Sequence, residues 1–138
     1  MSGFLLDTNV VSEMTFDAPN PRVIAFLAAQ DDLWLPAVVV HELEYGVQLL
    51  PPGRRRDRLV AAHSRVIGAY GDRIVPLDRS GAEWAARFRA ASRRMGRPID
   101  LGDALIAGTA RAHDLAVATR NVRDFAGLGV TVVDPWER

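Results

Sequence analysis

Phe4-Leu5-Leu6-Asp7-Thr8-Asn9 is the stretch on which the fold turns. Three apolar residues read as a short buried strand, and the acid at position 7 opens a polar turn. The pairing of an apolar stretch with an acid recurs along the chain. Val38-Val39-Val40 runs into Glu42, Asp103 opens Ala104-Leu105-Ile106-Ala107, and Asp124 follows Leu115-Ala116-Val117-Ala118 after a short polar turn. An α/β sheet collects its ligands at the carboxyl ends of its strands. Four carboxylates meeting there repel one another severely unless a cation lies between them. Oxygen-only donor sets favour hard ions such as Mg²⁺ or Mn²⁺. The pattern therefore points to a metal-dependent phosphoryl-transfer site.

Outward from that stretch, strands alternate with helices. Asn20-Pro21 starts a helix with Asn as cap and Pro in the first turn, running to about Ala29 with Val23, Ile24, Phe26 and Leu27 on its apolar face. Leu33-Trp34-Leu35 is a second strand, stopped by Pro36. Residues 37–50 are ambiguous, because Val38-Val39-Val40 favours strand while Val39, Leu43 and Val47 repeat at helical spacing. A helix there places Glu42 on one face with Val38 and Gly46, turned toward a cleft. Pro51-Pro52-Gly53 breaks the chain before a helix over 55–70, with Leu59, Ala62, Val66 and Ala69 inward. Arg73 to Leu77 reads as a third strand, and Ser80 with Glu83 as the capping box of a helix to about Met95. After the loop Gly96-Arg97-Pro98, residues 102–113 form a helix, Leu115 to Ala118 a fourth strand and Val130 to Val133 a fifth. The order implies a mainly parallel sheet covered by helices, and residues 1–138 are expected to form a single domain.

Composition narrows the function classes. Hydrophobic residues make up 49% of the chain and charged residues 25%, as in an ordinary globular protein with a core of its own. There is no cysteine, so neither a disulfide nor a thiolate zinc site is available, which fits a reducing cytoplasm. No apolar run approaches the roughly 20 residues of a membrane span, and Asp7 interrupts the N-terminus too early for a signal peptide. A formal net charge of zero argues against nonspecific adhesion to nucleic acid through bulk charge. All 17 basic residues are arginine. Codon bias accounts for that, but arginine is also the side chain that grips phosphate through two parallel hydrogen bonds. The absence of lysine excludes any mechanism that needs a catalytic lysine.

Each candidate residue has a plain alternative. Asp7 is a direct metal ligand, or the cap of a turn or helix. Asn9 holds a water or supports the ligands. Glu42 is a cleft residue or a solvated glutamate, with Glu44 the better candidate for solvent. Asp100 and Asp103 stand at a helix start, where aspartate often serves only as a cap. Asp103 ranks above Asp100 because it directly precedes the small apolar segment. Thr119, Asn121 and Asp124 hold a metal water or a phosphate, or build an ordinary turn with Phe125 in the core. His41, His63 and His113 have no ligand spacing, and Trp34, Trp84 and Trp136 read as packing aromatics. Arg54-Arg55-Arg56-Asp57-Arg58 is a solvated face or a nucleic-acid contact.

Taken together the motifs resemble a known family. Leu5-Leu6-Asp7-Thr8-Asn9-Val10-Val11-Ser12-Glu13 resembles the opening of PIN-domain toxins of the VapC type. His41-Glu42-Leu43-Glu44-Tyr45-Gly46-Val47 is similar to that family's glutamate-leucine-glycine helix. Gly96-Arg97-Pro98-Ile99 leading to Asp103-Ala104-Leu105-Ile106-Ala107 resembles its third acidic motif, and Ala118-Thr119-Arg120-Asn121-Val122-Arg123-Asp124-Phe125 its fourth. Val133-Asp134-Pro135-Trp136 is similar to the tail of the branch that includes the gonococcal trafficking-associated PIN protein, although asparagine is more usual at the place of Asp134.

The resemblance implies a three-layer PIN-like α/β fold with a five-stranded parallel sheet, and a metal-dependent endoribonuclease. It carries the acids over to Asp7, Glu42, Asp103 and Asp124, with Asp7 and Asp103 holding Mg²⁺ or Mn²⁺ and Glu42 and Asp124 binding directly or through water. Family members vary in whether the fourth acid touches metal. Asn9, Thr119 and Asn121 match accessory polar positions, whereas Asp100 lies where no acid is fixed. The resemblance also implies RNA as substrate, a small cognate antitoxin whose arginine enters the acidic pocket, and a homodimer within the toxin–antitoxin complex. Rim arginines, with Arg120, Arg123 and the run at 54–58 as candidates, must offset the acidic pocket if RNA is to approach. Three rivals remain at this point. A receiver domain or aspartyl-phosphate phosphatase also gathers acids at strand ends, but both use a lysine. A noncatalytic partner-binding module and a housekeeping PIN nuclease of RNA maturation share the motifs.

Overall fold

The computed structural model describes residues 3–137. Its centre is β1 (Phe4–Leu6), whose Leu5 and Leu6 are fully buried although successive strand side chains point to opposite faces. Both faces of the sheet are therefore covered. Four further strands join it: β2 (Leu33–Pro36), β3 (Ile74–Val75), β4 (Ala116–Ala118) and β5 (Val132–Val133). They pair in the order β3-β2-β1-β4-β5, and every pairing is parallel. The chain first builds outward through β2 and β3, then returns to lay β4 against the other side of β1. Between β1 and β4 the direction of winding reverses, and such a reversal opens a crevice at the carboxyl ends of the two strands. Phe4, Leu5 and Leu6 stand opposite Ala116, Val117 and Ala118, so Asp7 and Thr119 leave the sheet side by side.

Among the described residues six α-helices supply the cover: α1 (Thr8–Glu13), α2 (Pro21–Ala29), α3 (Ala37–Gln48), α4 (Arg54–Ala69), α5 (Arg79–Arg94) and α6 (Leu101–Ala112). The ambiguous segment after Pro36 is thus helical as far as Gln48. Val39, Leu43 and Val47 form its buried stripe, as the spacing of three and four residues requires. α6 is buried on most of its circumference through Ala104, Ile106, Ala107, Gly108, Thr109 and Ala110, and α5 lies hard against it. A β-carbon at Gly108 would run into the carbonyl of Gly81 and come within 2.7 Å of the Ala85 nitrogen, so only hydrogen fits there.

Several expected boundaries shift, each for a local reason. The polar turn after Asp7 is instead a six-residue helix capped by Asp7 itself, with Val10 and Val11 fully buried. The strand expected over Arg73 to Leu77 shrinks to Ile74–Val75: Gly71–Arg73 form a 3-10 turn, Pro76 has no N–H to give a ladder, and Leu77 is exposed. Ser80 does not cap α5. Asp78 does, accepting from the Gly81 N–H at 2.8 Å, while Glu83 pairs with Arg79. The fifth strand keeps only Val132–Val133. On α2, Val23 and Phe26 are buried but Ile24 is 40% exposed, and on α4 Ala69 faces solvent while Ala62 is buried. Gly46 is also exposed with open space around it, so it does not share a buried cleft face with Glu42.

The close approach of α5 and α6 gives a direct check. Gly108→Ala is expected to lower unfolding stability by about 1–3 kcal/mol, as overpacking of a tight core does, measured by denaturant melts against wild type. An unchanged midpoint would contradict the contact.

Candidate functional site

Asp7 is the anchor of the site. It is 4% exposed, and each of its oxygens is held. Oδ1 accepts from the Thr8 N–H at 2.7 Å, while Oδ2 accepts from the Thr119 hydroxyl at 2.7 Å and from Asn9 Nδ2 at 3.4 Å. Asn9 bridges the two strand ends: its Nδ2 also reaches Thr119 Oγ1 at 3.2 Å, and its Oδ1 accepts from the Arg120 N–H at 3.2 Å. Thr119 Oγ1 accepts in turn from the Asn121 N–H at 3.0 Å. The accessory residues Asn9, Thr119 and Asn121 therefore do come together, with Asn121 entering through its backbone. The alternatives for Asp7 also prove compatible: it caps α1 and still presents a carboxylate at the crevice.

The other acids arrive from three further elements. Glu42 lies in the second turn of α3 and is half-buried; its Oε1 is buried and accepts no hydrogen bond, and the nearby Thr8 Oγ1 is likewise without a partner. A β-carbon at Gly102 would come within 3.1 Å of Glu42 Oε1, so glycine at the start of α6 lets that helix approach the glutamate. Asp100 takes the capping role at α6, accepting from the Gly102 N–H at 3.2 Å, and Asp103 occupies the first turn. Asp124 sits in the 3-10 turn Val122–Phe125, exposed, with Phe125 locked in the core beneath it.

Electrostatics tie these groups into one cluster. Burial raises the pKa of Asp7, opposed by the hydrogen bonds from Thr119 and Thr8 and reinforced by the charge of Asp124. Burial also raises Glu42, and the charges of Asp7 and Asp100 add to it, while Thr8 and His41 act the other way. Asp103 is pushed up to about 7, first by burial and then by the charges of Asp7, Asp124, Asp100 and Glu42. It is the one carboxyl that feels all the others. Among the described residues no three acidic or histidine side chains already stand in an ion-coordinating arrangement. The acids thus share a field without yet closing into a shell. The donors nonetheless suit a hard divalent ion: all are oxygens, the other acids raise the pKa of Asp103, and Glu42 keeps a buried oxygen without a partner.

The arginines divide. Arg123 lines a cavity of about 380 Å³ together with Asp100, Asp103 and Asp124, so it stands at the acidic site. Arg120 places its guanidinium over the Trp136 ring at 5.2 Å. Arg55 and Arg58 line a different cavity, beside Thr15, Phe16 and Asp17. The tryptophans are packing residues as expected, each under at least one arginine: Arg73 over Trp34, Arg87 and Arg111 over Trp84. Thr8 and Gly102 were not singled out from the sequence. A glycine between two acids at a helix start is the signal that marked the latter. Asp134 accepts from the Trp136 N–H at 2.8 Å, a cap that asparagine supplies equally well.

Fold and site together define an α/β domain with an acidic cleft at its topological switch point. A family model described as PIN domain matches residues 4–129, and the chain belongs to that family. Among curated proteins it is 38% identical to "Toxin FitB" of Neisseria gonorrhoeae, over 96% of this chain and 97% of that one. It is 36% identical to "VapC ribonuclease Y4jK" of Sinorhizobium fredii, with 96% and 97% covered. A solved structure of FitAB bound to a DNA fragment superposes with a TM-score of 0.84 at 36% identity, covering 96% of this chain and 95% of that one.

The raised pKa of Asp103 has a thermodynamic sign. A folded value of about 7, above the ordinary 3.8, means that folding favours the protonated carboxyl. Its contribution is fully present below the ordinary value and is lost as pH rises through the folded one. In chelator, wild-type stability is therefore expected to fall between about pH 4 and pH 7, with Asp103→Asn giving a flatter profile in denaturant melts. Parallel profiles for the two proteins would contradict the cluster.

Proposed function

We propose that this chain, with residues 1–138 acting as one PIN domain, is a metal-dependent endoribonuclease and the toxin of a type II toxin–antitoxin pair. One observation carries the reading: the Asp103 carboxyl lies in the combined field of Asp7, Glu42 and Asp124, an electrostatic cost that a hard divalent cation removes. The relatives support the reaction class, since one is named a toxin and another a ribonuclease.

Asp7 and Asp103 are the residues to hold Mg²⁺ or Mn²⁺, with Glu42 and Asp124 binding it directly or through water. When bound, the ion supplies a water of lowered pKa and counter-charge for the phosphodiester being hydrolysed. The chain's own residues do the positioning. The hydroxyl of Thr119, the amide of Asn9 and the N–H of Thr8 fix both oxygens of Asp7, so its geometry is set before substrate arrives. Burial of Asp7 limits the screening of its carboxylate by water. Arg123 at the rim offsets the acidic field for an incoming RNA backbone.

The same chemistry explains control by a partner. A carboxylate cluster accepts a guanidinium as readily as a cation, so an arginine of a small cognate antitoxin competes for the same oxygens. The toxin is a homodimer within that complex. It meets its RNA substrate in the cytoplasm.

Purified protein is expected to cut RNA in Mg²⁺ or Mn²⁺ and to stop in chelator. Asp7→Asn should lose at least about 100-fold in rate, and Thr119→Val about 10–100-fold, the range for residues that orient metal ligands. Equal cleavage by wild type and Asp7→Asn would reject the assigned site.

A further inference from the structure

Beside the acids lies a cavity whose chemistry they do not explain. Its volume is about 380 Å³, within the range of small-ligand pockets. One wall carries Asp103 and Asp124, so it opens onto the acidic cluster without a break. Asp100 lines it too, together with the apolar side chains of Met95, Ile99 and Leu128 and two guanidinium groups, those of Arg97 and Arg123. Apolar surface and arginine next to carboxylates match the parts of a nucleotide: a base face to be desolvated and a phosphate to be paired.

The walls are built before any ligand arrives. At the end of α5, Gly96 adopts φ +75°, its N–H donates to the Arg93 carbonyl and the Arg97 N–H donates to the Ser92 carbonyl, both at 3.0 Å. This paired capping pattern fixes the loop that carries Arg97. Ser92 Oγ then accepts from the Ile99 N–H at 3.0 Å, which pins the next residue of the wall. On the other side the Met95 methyl reaches toward Gly127, where an added β-carbon would lie 3.9 Å from it. Met95 is 52% exposed, an unbranched thioether free to lie on an aromatic ring.

We propose that this cavity is a nucleotide pocket: it receives one unstacked nucleotide of single-stranded RNA next to the scissile phosphate, the base against Met95, Ile99 and Leu128 and the adjoining phosphate on Arg97 and Arg123. It thereby sets the base preference at the cut site. The proposal rests on the nuclease reading above and names the substrate contacts of that same site.

Two measurements test it. In the first, methyl resonances of wild-type protein in Mg²⁺ are followed while each of the four nucleoside 5′-monophosphates is added. Shifts at the methyls of Met95, Ile99 and Leu128, with affinities that differ among the bases, are expected. Silence at all three with every nucleotide overturns the pocket. In the second, ends are mapped after digestion of a randomised single-stranded RNA by wild type, Met95→Trp and Arg97→Ala. Met95→Trp, which fills the cavity, should alter the base distribution beside the cut. Arg97→Ala should raise KM roughly tenfold with little change in kcat, as loss of one charged hydrogen-bond contact does. An unchanged cut map in Met95→Trp together with an unchanged KM in Arg97→Ala overturns the proposal. If wild type cuts no RNA, the nuclease reading fails by itself, and the nucleotide titration still decides the pocket. If Met95→Trp fails to fold, Arg97→Ala and the titration decide it.

Discussion

The repulsion among carboxylates at the crevice between β1 and β4 is the constraint around which the rest is arranged. A parallel sheet whose winding reverses at β1 brings the ends of two strands together with no helix between them. Asp7 and Thr119 occupy those two ends, and α3 and α6 bring Glu42 and Asp103 to the same place. Burying like charges is unfavourable, and a fold that retains them must gain elsewhere. Here the gain lies in the core: the fully buried Leu5, Leu6, Val10, Val11, Ile106 and Val117 hold the strand ends regardless of the acids' discomfort.

That division also explains how Asp7 differs from Asp103. Asp7 is the more deeply buried, yet three hydrogen-bond donors address it, so part of its desolvation is returned. Asp103 receives no such relief and takes the summed charge of its neighbours. One acid is thus fixed in place and the other poised to lose a proton when positive charge arrives. A metal ion and a guanidinium are two forms of that charge, and the proposed function has both compete for the same oxygens.

Much of this was legible in the sequence. Leu5-Leu6-Asp7 and Ala116–Thr119 each tie a polar group to the end of an apolar strand, and the topology of α/β sheets says where such ends meet; Glu42 instead reaches the site from within α3. What escaped notice depends on partners distant in the chain or on very short elements. α1 is only six residues long, so Asp7-Thr8-Asn9 shows no helical period and reads as a turn. The cap of α5 fell to Asp78 because an aspartate two residues upstream of Ser80 reaches the same first turn. Asn9 and Thr119 were each read as supporting polar residues, but their pairing spans 110 residues and no local pattern shows it. The cavity beside Asp103 needs α5, the loop after it and the turn at Asp124 at once, and no local pattern announces such a meeting.

The central claim is that buried, mutually repelling carboxylates await a divalent cation, and calorimetry tests it most directly. Mn²⁺ is titrated into chelator-stripped protein at pH 6 and pH 8.5 in buffers of different ionisation enthalpy, so that protons released on binding are counted. With Asp103 titrating at about 7, binding at pH 6 should expel about one proton, and binding at pH 8.5 almost none. Binding without proton release at pH 6, or no binding at either pH, would contradict the account.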